Sequence, residues 1–529
     1  MKKDNMPLKK SKEIKKIISI VVLICIVFSL SGLFSCANDG GTNNNNGQDN
    51  TAANNSDNSD DNSGADNQDA AEAPTEDLFD PKLPDADFNG TEFRILNIDQ
   101  ESEWWAIVDL DMDIDSINTV GTALNDPVVN DAIYKRNRNI EEKYNFVIKE
   151  TQMPAAKVAS TLKNCVNAGS DDYDLVSPAT QNAPTMATSS QLVDFNKVPH
   201  LNFANPWWNN SVSNYFAIGG KLFFTCSDFT ISDKDNVAVF MYNKKLAETL
   251  GIDGADALYG LVDEGKWTFD KFKELCTAAK ADLNGDGVIK GPDDRYGLSC
   301  CGWLYTYLLA GFDETTIKKD ADGFPYIACK TERFAQAYAA MVDFIFQRDT
   351  VVREYTDTPN MKTEEMFVND KALFCAQVLA CVRLYKNMGS DFALLPFPKY
   401  DEAQEQYCTP ALGSQCLVIP TTNSNLDKTG LILEALSAES RKIVIPAYYE
   451  ISIGTKYLRD DISVRMLDII LQNRIYDIND SMYSWGGFPS AFSTAASKGD
   501  TNFASLLEKY ETKIQAAMQK TIDAFAEAG

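Results

Sequence analysis

Between residues 91 and 176 the chain alternates short apolar runs with stretches of helical period, and this alternation restricts its fold more than any other feature. Phe93-Arg94-Ile95-Leu96-Asn97-Ile98 reads as a strand, and Asp126 to Tyr144 places Val129, Ile133, Ile140 and Tyr144 near helical period. Phe146-Val147-Ile148 is a second strand, Ala155 to Val166 a second helix, and Tyr173-Asp174-Leu175-Val176 a third strand. Strand, helix, strand, helix, strand requires a parallel sheet with right-handed crossovers, and the continuous apolar runs of the first two strands predict a sheet covered on both faces.

Farther on, Val237-Ala238-Val239-Phe240-Met241-Tyr242 and Phe392-Ala393-Leu394-Leu395-Pro396 read as strands. Helical segments run from Lys244 to Leu250, Thr268 to Lys280, Glu332 to Gln347, Thr363 to Asp370 and Phe503 to Ala528. Two polar stretches, 227–236 and 396–415, each lead into an apolar run and suit chain crossings between two lobes. Ligands of open α/β sheets lie beyond the carboxyl ends of strands, and clefts between domains are favoured pockets, so the expected site is a groove between lobes.

The first eighty residues have other uses. Residues 1–16 carry seven lysines, and Ile17 to Phe34 is an uncharged apolar run, which together read as a secretion signal. Leu33 three residues before Cys36, with Ser35 directly before it, resembles the processing site of bacterial lipoproteins, where Cys36 is diacylated and becomes the N-terminus. An uncleaved anchor is the alternative, because the run approaches the ~20 apolar residues that span a bilayer. From Ala37 to Asp80 there are eleven acidic residues, no Lys or Arg, and large apolar side chains only at Leu78 and Phe79. Such a stretch cannot offset its ordering entropy and is expected to be a disordered stalk with a mean reach of about 35–40 Å.

Charge and composition remove several classes of function. The chain carries a net charge of −27, which opposes nucleic acid and anionic lipid surfaces. A lone histidine, His200, rules out a multi-histidine zinc site and leaves Ser-His or Cys-His catalysis dependent on one residue in a surface loop. Twelve cysteines in 529 residues are too sparse for a disulfide scaffold. The ten after Cys36 are read as buried thiols behaving as small apolar residues.

Asp282-Leu283-Asn284-Gly285-Asp286-Gly287-Val288-Ile289-Lys290-Gly291-Pro292-Asp293 follows the twelve-residue calcium loop at its key positions. Asp282, Asn284 and Asp286 would ligate by side chain, Val288 by its carbonyl, and Asp293 would close the site with a shorter reach than glutamate. A structural Ca2+ is therefore expected, with an acidic turn that never sees metal as the alternative.

Several segments in order carry a family resemblance: Asn130-Asp131-Ala132-Ile133-Tyr134-Lys135-Arg136-Asn137, Gly220-Lys221-Leu222-Phe223-Phe224, Phe240-Met241-Tyr242-Asn243-Lys244-Lys245 and Trp267-Thr268-Phe269-Asp270-Lys271-Phe272. With the cysteine and stalk before them they resemble family 1 extracellular solute-binding proteins, the maltose-binding-protein type receptors of carbohydrate ABC importers. The resemblance implies an α/β, two-lobed periplasmic-binding-protein type II fold with an interlobe ligand cleft and no chemistry on the ligand. The expected division is 1–35 signal peptide, 36–80 stalk, 81–226 with 410–450 as lobe 1, and 236–400 with 451–529 as lobe 2. It further implies a carbohydrate ligand, importer permease subunits as partners, and a monomer held by the Cys36 lipid on the outer face of the bacterial membrane.

Sugar recognition needs aromatic faces for pyranose C–H surfaces and carboxylates for hydroxyls. Trp104 and Trp105 follow the first strand; Trp303 and Tyr305 follow the strand at Gly297-Leu298-Ser299; Trp485 stands in a late glycine-containing loop. Asp228 and Asp233 lie in the first crossing, where side chains would face the cleft or stand as solvated loop carboxylates. Trp267, before the N-cap Thr268, is read as core packing. A receptor for peptide or another small solute, a sensory component, and a secreted glycan-active enzyme are the competing functions.

Overall fold

The computed structural model describes residues 79–99, 127–252, 256–302, 304–353, 362–385, 388–413, 415–449 and 461–528. Strands β1 (Thr91–Ile98), β2 (Phe146–Met153) and β3 (Leu175–Val176) form an all-parallel sheet in the order β2-β1-β3. The helices Pro127–Tyr144 and Ala155–Ala168 make the two crossovers, so the alternation read in the sequence is the architecture observed. One expectation is corrected. β2 is an edge strand on which buried and exposed residues largely alternate, with Val147 50% exposed, because no strand among the described residues pairs beyond it and one face meets solvent.

The second sheet comprises β4 (Ala238–Asn243), β5 (Tyr296–Cys300), β8 (Val351–Arg353), β9 (Ala372–Val378) and β10 (Phe392–Leu395), in the order β10-β4-β9-β5-β8. β6 (Ile317–Lys319) and β7 (Pro325–Ile327) form a separate antiparallel hairpin. All six residues of β4 and all seven of β9 are buried, as expected for strands flanked on both edges. β5 runs parallel to β8 and β9, whereas β4 is antiparallel to its neighbours.

Trp267 has no exposed surface, and its indole N–H donates to the Pro396 carbonyl at 2.9 Å, which is the packing role read for it. Thr268 then caps the helix Phe269–Ala279 by accepting the Lys271 amide. That helix lies directly on β5, because Gly297 has no side chain there: a Cβ would stand 2.3 Å from the Cys276 carbonyl oxygen. The final helix, Phe503–Glu527, touches residues of both sheet regions, with Phe525 4.9 Å from Phe223 and Phe503 4.5 Å from Phe334. None of the ten described cysteines is in a disulfide, and eight are buried. Among the described residues no helix is long and apolar enough to cross a membrane.

Candidate functional site

Three lengths of chain pass between the sheet regions and lie side by side. The first, 225–237, meets the second, 409–418, through bridges from Thr225 to Leu417 and from Val237 to Ala411. The second meets the third where β11 (Thr409–Pro410) pairs in parallel with β12 (Arg474–Ile475). The third crossing has no periodic signal and was not legible in the sequence.

The carboxyl ends of β1 and β3 from one sheet and of β9 from the other arrive at these crossings. β1 and β3 deliver Asn97 and Ser177 to Gln415, whose side-chain amide donates to Asn97 Oδ1 at 2.7 Å and to the Ser177 carbonyl at 3.2 Å. Asn97 in turn donates to Glu150 Oε1 on β2 at 2.7 Å. On the other side β9 leads into Leu379, whose amide donates to the Val237 carbonyl at 2.8 Å. β8 ends in Arg353, which is buried, donates to the Tyr305 hydroxyl, and holds its guanidinium 5.0 Å over the Phe346 ring. The Gln377 side-chain amide reaches Cys301 Sγ at 3.3 Å and Glu364 Oε1 at 3.4 Å. Strand ends, directed amides and a buried arginine are the groups that orient a polar solute.

The first crossing is corrected in its details. Asp228 and Asp233, expected to face a ligand or water, are buried at 5% and 3% exposure and are taken up by charge partners. Lys234 Nζ stands 2.8 Å from both Asp228 Oδ1 and Asp233 Oδ1, Arg474 donates to Asp233 Oδ2 at 3.0 Å, and Arg441 lies 3.4 Å from Asp228 Oδ2. Burial opposes the Asp233 charge, but Lys234 and Arg474 outweigh it and hold the carboxyl below its ordinary value. Burial likewise opposes the Lys234 ammonium, and Asp228 and Asp233 outweigh it and hold the ammonium above its ordinary value. Lys234 is a neighbour in sequence, but Arg441 and Arg474 come from more than 200 residues away, and the burial of the cluster depends on the assembled crossings, which is why local polarity misled.

Trp485 is also corrected. It is 3% exposed, stacks on Tyr483 with ring centroids 4.3 Å apart, and donates its indole N–H to Thr521 at 2.8 Å, so it packs the C-terminal region. Tyr305 is 4% exposed and its hydroxyl accepts from Arg353, so it presents no open face. Trp104, Trp105, Trp303 and Cys36 lie outside the described residues.

In the 282–293 loop, Asp282 accepts the Gly285 and Gly287 amides at 2.7 Å each, Asn284 accepts the Asp286 amide at 2.8 Å, and Asp286 accepts the Val288 amide at 2.9 Å. Asp293 is exposed; the carboxylate that closes the loop is Asp294, which accepts the Leu283 amide at 2.9 Å and the Lys290 amide at 2.8 Å. The Lys290 amide foremost holds the Asp294 carboxyl below its ordinary value. Among the described residues no group of three or more His, Cys, Asp or Glu side chains is gathered as a metal site.

Sequence reasoning passed over Asn97, Arg353, Gln377 and Gln415. Arg353 had a signal, since a short apolar strand ending in arginine places that charge at the carboxyl edge of a sheet.

Comparison with known proteins agrees with this geometry. The structure is similar to the sugar-binding protein MalE of Xanthomonas citri, with a TM-score of 0.54 and 14% identity over 83% of this chain and 98% of that one. It is similar to a cyclo/maltodextrin-binding protein complexed with maltotetraose (TM-score 0.51, 12% identity, 83% and 97% covered). It is also similar to the galacto-N-biose-/lacto-N-biose I-binding protein of the ABC transporter from Bifidobacterium longum, in complex with lacto-N-biose (TM-score 0.50, 12% identity, 83% and 97% covered). These likenesses establish a two-lobed α/β fold. No curated protein matches the chain significantly. A family model described as bacterial extracellular solute-binding protein matches residues 136–443, more than half of the 529, and the chain belongs to that family.

Proposed function

We propose that the chain is a membrane-anchored receptor that captures a carbohydrate by lobe closure and delivers it to an ABC importer. The observation that carries the reading is the convergence of strand ends from two sheets on three crossings, in a fold shared with proteins described as sugar-binding. In this reading 81–226 with 410–450 forms one lobe and 236–400 with 451–529 the other, the final helix bracing both. A solute that touches both lobes favours the closed form by its differential affinity, and the permease subunits read that form. A dissociation constant near 1 μM, about −8 kcal/mol, allows capture and release. Trp104, Trp105 and Trp303 are assigned as sugar-stacking faces, Cys36 as the lipid attachment point, and the 282–293 loop as a calcium loop.

The test is thermal unfolding of the full chain with maltotetraose, lacto-N-biose and a set of short peptides. A sugar at 100 times its dissociation constant adds about 2.7 kcal/mol of stability, which is readily measured. Shifts with peptides and none with any sugar would overturn the carbohydrate assignment while leaving a solute receptor.

A further inference from the structure

The third crossing runs on into a carboxylate that has no partner among the described residues. Asp480 belongs to the short helix Asn479–Tyr483, which packs on Thr180–Asn182 beyond β3 and on the helix Ala183–Thr188. A Cβ on Gly413 would lie 3.0 Å from both the Ser481 carbonyl oxygen and the Thr180 Cβ. Asp480 is therefore one residue from the point where the end of β3, the second crossing and the continuation of the third meet. Its charge also acts on the buried Tyr307, as does that of Cys301, the residue after β5. Asp480 thus stands near strand ends of the two sheets.

Its side chain is partly buried, and among the described residues no hydrogen bond or ion pair reaches its carboxylate oxygens. Asp477 on the same segment shows the contrast, accepting the Thr316 amide at 2.6 Å, the Thr316 hydroxyl at 2.9 Å and the Asn479 amide at 3.1 Å. Thr180–Asn182, Ala183–Thr188 and Phe488–Ser497, which pack on the Asp480 segment, carry no ionisable side chain. Among the described residues the titratable groups whose charges act with that of Asp480 are Asp477, Tyr307 and Cys301, and none is a cation. Burial first, and the Asp477 charge after it, push the Asp480 carboxyl up to about 7. A carboxylate partly withdrawn from water and given no protein donors loses solvation without compensation, and such groups cluster at functional sites.

We infer that Asp480 receives hydroxyl donors from the bound sugar and that its ionisation couples sugar binding to release of a proton. This rests on the carbohydrate reading. Donors favour the anion, so the bound carboxyl titrates lower than the empty one and affinity rises with pH. A return to the ordinary carboxylate range on binding makes affinity at pH 5.5 about thirtyfold weaker than at pH 8.5.

The experiment is calorimetric titration of the full chain with maltotetraose and lacto-N-biose at pH 5.5, 7 and 8.5, in buffers of different ionisation enthalpy, for wild type and Asp480→Asn. Wild type is expected to show the pH rise and the release of protons, while the variant binds tenfold or more weakly at pH 8.5 and changes little with pH. Without sugar, the variant is expected to melt higher than wild type, by more at pH 8.5 than at pH 5.5, which shows that it folds. Wild-type binding matched by the variant at every pH would overturn the Asp480 assignment and spare the carbohydrate reading. Wild type that binds neither sugar would overturn both, because the hydroxyl donors then have no source.

Discussion

Removing the ammonium of Lys234 tests whether the charge cluster of the first crossing holds the fold together. Its side chain is 4% exposed and is the 2.8 Å partner of two carboxylates, Asp228 and Asp233. In Lys234→Met, Asp233 keeps Arg474 at 3.0 Å, but Asp228 keeps only the half-exposed Arg441 at 3.4 Å. Breaking a buried pair by deleting one member costs about 3–5 kcal/mol, since the remaining charge is desolvated without compensation. The body from 76 to 529 forms one compact unit. At ~2.1 cal/mol/K per residue its unfolding entropy is about 0.95 kcal/mol/K, so a loss of about 4 kcal/mol lowers the melting temperature by about 4 °C. The pH window follows from the two shifts. Asp233 titrates below its unfolded value, so its contribution is present above about pH 4 and is lost as pH falls through its folded value. Lys234 titrates above its unfolded value, so its contribution is complete below about pH 10 and is lost only at higher pH. Scanning calorimetry at pH 7 is the assay, with Lys234→Met/Asp228→Asn as the second variant, expected to recover about 1–2 kcal/mol by removing the orphaned carboxylate. A melting temperature within 1 °C of wild type for Lys234→Met alone would refute the reasoning, as would a double variant less stable than the sum of its parts.

Trp485→Ala should destabilise the protein by about 3–5 kcal/mol through loss of the Tyr483 stack and the Thr521 hydrogen bond, measured by urea unfolding; unchanged stability with weakened sugar binding would return Trp485 to the ligand site. Arg353→Ala is expected to weaken maltotetraose binding about tenfold and Tyr305→Phe by less, because the arginine loses a buried charge and the tyrosine one hydrogen bond; equal effects on calorimetric affinity would contradict the order. With a dissociation constant of ~10⁻⁴ M, 2 mM calcium adds about 1.8 kcal/mol and raises the melting temperature by about 2 °C, an increment that chelator and Asp282→Asn should each abolish. A calcium shift that survives Asp282→Asn would place the ion elsewhere.

What the sequence determined by itself is the part governed by local period. Helices and strands from Thr91 to Val176 announce themselves by apolar spacing, and a parallel sheet then follows from connection length and chirality. Trp267 and its capping neighbour Thr268 were legible for the same reason, since an aromatic before an N-cap needs only its own helix to be explained. Ionisable residues behaved otherwise. Asp228, Asp233 and Asp480 look alike in the chain, yet two are paired and one has no partner among the described residues, because Arg441 and Arg474 reach the first two only after the crossings are assembled. The same holds in the 282–293 loop, where strand β5 begins at Tyr296 and turns Asp294 inward in place of Asp293. A side chain's apolar period is set by its neighbours along the chain, whereas the electrostatic free energy of a carboxylate depends on charges and dielectric brought from anywhere in the fold, and only the tertiary structure supplies those.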